Sequence, residues 1–269
     1  MTKAQKIIKY FAISLAILLI VSILSTIVSI ISNIFDISYE NDNKEYKIKE
    51  IVNKIDVLDI ELDNSKLTFK YDNNFKVETS NNNILVRERN NKLTIKEKSS
   101  WFDSNSEEVI IYLPSNYLFN EVSVENGAGN INIDELQTNK LDFELGAGSI
   151  NVNNLNVINE ASIDTGAGQV NFLNSVINNL ELNIGVGKTI INGKLTGTNE
   201  IEAGIGELEL NLNNSINNYH FIINKGIGEI KINNESVNND YDLNKGINRI
   251  EIDGGIGNIF VNTIEGDWK

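Results

Sequence analysis

A Gly-x-Gly element returns along the second half of the chain at near-constant spacing, and this periodicity constrains the fold more than any other feature. It reads GAGNINI from Gly127, GAGSINV from Gly146, GAGQVNF from Gly166, GVGKTII from Gly185, GIGELEL from Gly204, GIGEIKI from Gly226 and GIGNIFV from Gly255. The second glycines are Gly129, Gly148, Gly168, Gly187, Gly206, Gly228 and Gly257. GINRIEI, from Gly246, reads as a degenerate copy. The first five steps are 19, 20, 19, 19 and 22 residues; Gly226 to Gly246 is 20, and the last step is 9. A fixed period near 20 residues, sustained over 126–262, is the signature of a solenoid or array.

Within a unit, alternate residues are apolar. Leu141, Phe143 and Leu145 lead into Ala147 between the glycines, and Ile150 and Val152 follow. Leu180, Leu182, Ile184 and Val186 precede Thr189 and Ile191, and Ile201, Ala203 and Ile205 precede Leu208 and Leu210. Period-two alternation marks strands with one buried face. The apolar phase slips by one residue at each Gly pair, which would turn a straight strand inside out. The backbone must therefore bend there, and glycine suits a bend that needs φ > 0.

Each unit continues into a polar stretch. Asp134, Asn153, Asn192, Asn211, Asn233, Asp253 and Asn262 lie seven residues after a first glycine, and both residue types favour turns. An apolar residue mid-stretch, such as Leu136, Leu155 or Leu195, implies a short third side. The expected fold is all-β, a parallel β-solenoid with about 19–20 residues per coil; an antiparallel meander is the competing arrangement. KIDVLDIEL, KLTFKY, FKVETS, NILVRE, KLTIKE and EVIIYLP, within 46–125, supply opening coils without the glycines. The segment around Trp101 and Phe102 is expected to cover one edge, and the terminal Trp268 to belong to an atypical cap.

A different signal lies at the N-terminus. Residues 10–35 contain no charged side chain, and as a helix they would run roughly 39 Å, enough to span a bilayer core. Lys3, Lys6 and Lys9 precede this run, and Asp36, Glu40 and Asp42 follow it. The positive-inside rule then leaves residues 1–9 in the cytoplasm, 10–35 as a transmembrane helix, 36–47 as a linker and 48–269 as an extracytoplasmic solenoid domain. A cleaved signal peptide fits less well, because the apolar run is too long and no small-x-small site follows.

The order LDIEL, KLTIKE and EVIIYLP, followed by GAGNINI, GAGSINV and further Gly-x-Gly strands, covers roughly residues 50–269. It resembles a bacterial family of β-strand repeat proteins labelled "putative adhesin". The resemblance implies a membrane-associated β-solenoid of the cell envelope, in some cases tied to envelope-stress systems, with no catalytic residues to carry over.

Motifs that suggest chemistry resolve into copies of the repeat. GVGKT at 185–189 lacks the upstream glycine of a phosphate-binding loop, since Leu182 stands there, and a strand follows it instead of a helix. GGIGN at 254–258 approaches a calcium-binding nonapeptide, but Ile259 replaces its aspartate. His220 is the single histidine, so a Ser-His-Asp triad would depend on it, and it sits in a strand-like segment without an elbow. Glu207, Glu209 and Glu229 are the candidate carboxylates for glycan chemistry. Stacking in sequence order would instead make them parts of outward charge ladders, Glu207–Glu229–Arg249 and Glu209–Lys231–Glu251, with Asn132, Asn151 and Asn171 as an asparagine ladder. No catalytic residue, cofactor or metal site is expected, and the absence of cysteine excludes disulfides and thiolate ligands.

The formal charge is −14, and setting aside the three lysines before residue 10 leaves 20 basic against 37 acidic residues, or −17. Such a domain is repelled by nucleic acid and anionic surfaces. The reading is a membrane-anchored, non-enzymatic envelope protein, single-pass with its C-terminal domain outside, serving as an adhesin-like surface binder or scaffold. Its partners would be the membrane and an envelope protein or glycan. The alternatives are a glycan-active enzyme on a solenoid face and an accessory of membrane-stress sensing.

Overall fold

The computed structural model describes residues 47–80, 83–98, 108–224, 226–237 and 240–264. The apolar run 10–35, residues 36–46, Trp101, Phe102 and Trp268 lie outside the described residues.

The described residues form an all-β, solenoid-like stack. Val57–Leu62 and Lys66–Tyr71 are the two main sides of one coil, and the longer strands, such as Leu118–Ile133, Leu136–Val152 and Leu180–Thr196, wrap both sides in a single run. Successive coils pair in parallel and in register, with Val122 on Leu141, Leu141 on Ala161 and Leu182 on Ile201. Parallel neighbours lie about 4.8 Å apart, so identical positions form straight columns along the stack. The inward columns are aliphatic and aromatic: Val124, Phe143, Ile163, Leu182 and Ile201 are all buried. Each such side chain contributes about 1.5–3 kcal/mol through burial. Leu136, Leu155 and Leu195 are buried too, and Leu155 pairs with Leu136, giving the short third side.

Coil order departs from sequence order at both ends. Among the described residues the stack runs 92–113, 57–71, 118–133, 136–152, 155–178, 180–196, 198–212, 248–263, 219–232. The last coil in sequence thus lies between two earlier ones, and the first coil in sequence lies between the second and third. The two outermost coils end on antiparallel strands. Ile84–Arg89 pairs with Lys92–Glu97, and Lys76–Thr79 pairs with Glu108–Leu113. At the other end Tyr241–Asn244 pairs with Tyr219–Asn224, and Glu235–Val237 with Ile230–Ile232. These short antiparallel strands occupy edges that would otherwise present unpaired amides. The meander expectation therefore holds only at the caps.

This order corrects three expectations. Gly246 is not a corner: its amide donates to the Tyr219 carbonyl, and the strand after it, Asn248–Thr263, carries one complete corner at Gly255. Asp253 accordingly lies before that corner, not in a closing turn. The outward ladders also differ, because Asn258 and Phe260 of the inserted coil stand over Glu207 and Glu209. Arg249 and Glu251 pair with Thr198 and Glu200 on the opposite side of the corner.

The asparagines divide into two roles. Asn90, Asn91, Asn116, Asn174, Asn179, Asn233 and Asn234 adopt positive φ, the left-handed geometry that Asn tolerates best after Gly. Most of the closing asparagines instead form ladders. Asn211 Nδ2 donates to Asn192 Oδ1 at 2.8 Å, and Asn262 Nδ2 donates to Asn211 Oδ1 at 2.7 Å. Asn151 Nδ2 likewise reaches Asn132 Oδ1 at 3.2 Å, but this ladder stops where Asn171 meets Ile190.

Candidate functional site

The corners bring neighbouring backbones unusually close. At Gly168 and Gly187, φ is +156° and +151°. A Cβ on Gly187 would stand 1.7 Å from the Gly168 carbonyl oxygen, and one on Gly168 1.8 Å from that of Gly148. Only glycine fills both conditions, so the glycine column keeps the ladder continuous around the bend. The residue between the glycines turns outward there. Ile205 is exposed, contrary to the inward alternation expected for Ala147, Val186 and Ile205, because the bend points this position away from the core.

Two residues before each first glycine, the side chain faces solvent. In stack order this column reads Glu61, Glu125, Glu144, Asp164, Asn183, Glu202, Asp253 and Asn224. The next outward column contains Asp59, Asp142, Glu181, Glu200 and Glu251. An open groove of about 890 Å³ runs beside the first column, with Glu125, Glu144, Asp164, Glu202 and Asp253 along its wall and Gly146, Gly166 and Gly185 among the residues of its floor. A second depression of about 530 Å³ lies at Glu121, Lys140, Asp142, Glu160, Glu181 and Glu200.

Counter-charges lie mainly at the rims. Lys92 pairs with Asp59 at 2.6 Å and Lys96 with Glu61 at the N-terminal end, Lys140 pairs with Glu160, and Arg249 pairs with Glu251 at 2.5 Å. Glu125, Glu144, Asp164, Glu202 and Asp253 form no ion pair with a described residue. Asn183 Nδ2 donates to Asp164 Oδ1 at 2.7 Å, which spaces two carboxylates with a neutral group. The carboxyl of Asp142 is held above its ordinary range, first by desolvation and then by the charges of Asp164 and Glu121.

The carboxylates singled out by sequence do not converge. Glu207 pairs with Lys188 at 2.7 Å, Glu209 accepts from Asn211 at 2.9 Å, and Glu229 pairs with Lys231 at 2.9 Å. The inserted coil separates Glu207 from Glu229. His220 Nε2 lies 3.4 Å from Asp242 Oδ1 across the capping hairpin. Lys188 of GVGKT lies in a strand and serves Glu207. Among the described residues no group of three His, Asp or Glu side chains is placed to hold a metal ion. The acidic column has a signal in the sequence itself: an acidic or amide residue at a constant offset of two before each first glycine.

The Toastrack DUF4097 family profile matches residues 48–248. No curated protein matches the chain. Solved structures of low identity align over most of the chain. A "putative cell adhesion protein" from Clostridium sporogenes is 17% identical with a TM-score of 0.33, covering 82% of this chain and 99% of its own. A "putative adhesin" from Bacteroides fragilis is 12% identical with a TM-score of 0.38, covering 82% of this chain and 98% of its own. A "putative lipid binding protein" from Parabacteroides distasonis is 12% identical with a TM-score of 0.37, covering 83% of this chain and 98% of its own.

Proposed function

The chain belongs to the Toastrack DUF4097 family, and we propose that it is a membrane-anchored, non-enzymatic binding module of the cell envelope whose acidic solenoid face engages basic partners. In this reading residues 1–9 are cytoplasmic, 10–35 span the membrane, 36–47 link, and 48–269 stand outside. The observation that carries it is the in-register carboxylate column beside an open groove. A rigid stack presents those charges at fixed spacing, and fixed charges on a low-dielectric support attract a complementary chain at long range. The candidate catalytic carboxylates are dispersed into lysine and asparagine contacts, which favours binding over glycan chemistry.

Two experiments test this. The full-length chain, in zwitterionic nanodiscs, is measured for retention on poly-lysine beads and on isolated cell envelopes at low and high salt. Retention that falls with salt, and falls further in Glu144→Gln/Asp164→Asn/Glu202→Gln, is the expected result. No retention of the wild-type chain on either surface refutes the binding role. Because the chain lacks cysteine, Thr2→Cys and Asn213→Cys report topology directly. An impermeant maleimide should label the second and not the first on intact cells; the reverse pattern overturns the orientation.

A further inference from the structure

The residue between the glycines changes character along the stack. It is Ala128, Ala147 and Ala167 in successive coils, then Val186, and then Ile205, Ile256 and Ile227. The three isoleucines occupy neighbouring coils and are 48%, 52% and 72% exposed. Single exposed apolar side chains are ordinary on a protein surface, whereas a contiguous exposed row marks a contact site. The row borders the acid-walled groove, and Glu202 and Asp253 belong to the same coils as Ile205 and Ile256.

We propose that this isoleucine row and the adjoining groove dock a basic amphipathic α-helix laid along the solenoid axis. The inference rests on the acidic face being a binding surface and names the partner's form. Coils repeat at about 4.8 Å, and a helix turn advances about 5.4 Å. One apolar residue per helix turn therefore drifts only about 1.2 Å across the two steps from Ile205 to Ile227. A β-strand, whose same-face side chains repeat at about 6.7 Å, would drift about 4 Å over the same steps. The helix thus matches the row and a strand does not. Charge selects against the other occupants. A second copy of this chain or an anionic bilayer would place negative charge against Glu144, Asp164, Glu202 and Asp253. A helix with lysines flanking an apolar stripe satisfies both surfaces at once.

The test uses the full-length chain in zwitterionic nanodiscs on a sensor surface, with empty nanodiscs as reference. The probes are three synthetic peptides of one Leu/Lys composition: one with its leucines on a helical face, one strictly alternating and one scrambled. Three isoleucines are changed together, Ile205→Ser/Ile256→Ser/Ile227→Ser; all are solvent-facing, so the core is untouched. The helical peptide should bind tightest and lose about tenfold or more in affinity to the serine variant, while poly-lysine retention stays unchanged. Equal affinity of wild type and serine variant, or no preference for the helical peptide, overturns the proposal while leaving the acidic-face reading intact. Failure of poly-lysine retention instead strikes at that reading. Self-association of the wild type that the serine variant abolishes would assign the row to a second copy and overturn the helix.

Discussion

Gly187→Ala adds one methyl group at a corner where two backbones nearly touch. The native φ of +151° is a region that L side chains avoid, at a cost of about 1–3 kcal/mol. The new Cβ would also stand 1.7 Å from the Gly168 carbonyl oxygen. No flexible side chain can yield there, so the coils must part by more than about 1 Å. Two ladder hydrogen bonds would weaken or break, at about 1 kcal/mol each. The total is about 3–5 kcal/mol, a large fraction of the 5–15 kcal/mol typical of a domain. For a domain of this size that lowers the melting temperature by roughly 6–20 °C. Gly127→Ala is the internal control: its Cβ would meet the Asp63 carbonyl oxygen at 2.7 Å, and its φ lies outside the left-handed region, so the cost should be about 1–2 kcal/mol. Thermal unfolding of the full-length chain, followed by far-ultraviolet circular dichroism, measures both. A Gly187→Ala midpoint equal to that of wild type, or no lower than that of Gly127→Ala, refutes the close-approach argument.

Hydrogen exchange tests the coil order. Asn248–Thr263 lies between two coils, so amides such as those of Ile252 and Ile259 should exchange as slowly as those of Leu180–Thr196, while Tyr241–Asn244 exchanges fast; fraying of 248–263 as a free terminal strand would refute the insertion. Asp142→Asn tests the acidic face through pH. Because burial and the charges of Asp164 and Glu121 raise this carboxyl's pKa, its ionisation opposes folding, and the stability associated with the protonated form is lost as pH rises through the folded value. The substitution should therefore raise the melting temperature at pH 7 and change little near pH 3, below the ordinary value of 3.8; an equal shift at both pH values, or a loss at pH 7, contradicts the assignment.

Much of the coil was legible in sequence because period-two alternation reports directly which side chains a strand buries. Leu141, Phe143 and Leu145, then Ile150 and Val152, are buried as their spacing predicts. The asparagine ladder from Asn132 to Asn151 was legible for the same reason, since equal offsets in a parallel stack become neighbours. The middle residue of each corner was misread, because alternation assumes a straight strand and Ile205 sits on the outside of a bend. The candidate site was only partly legible. Its acidic residues recur at a fixed offset, but their meaning as one wall of a groove depends on the turn that follows them.

The sequence alone determined that each coil has two edges needing partners, a bend at every Gly pair and a column for every offset. Those are properties of a strand and its local backbone, and they repeat with the chain. Only the tertiary structure decided which coil lies beside which. All coils present equivalent parallel edges, so the repeat carries no preference among them. The antiparallel strands Lys76–Thr79 and Ile84–Arg89 at one end, and Glu235–Val237 and Tyr241–Asn244 at the other, settle the matter by pairing with the outer coils, and this leaves the first and last coils to fill the positions inside. That placement puts Ile256 between Ile205 and Ile227, turning three residues scattered in sequence into one exposed row.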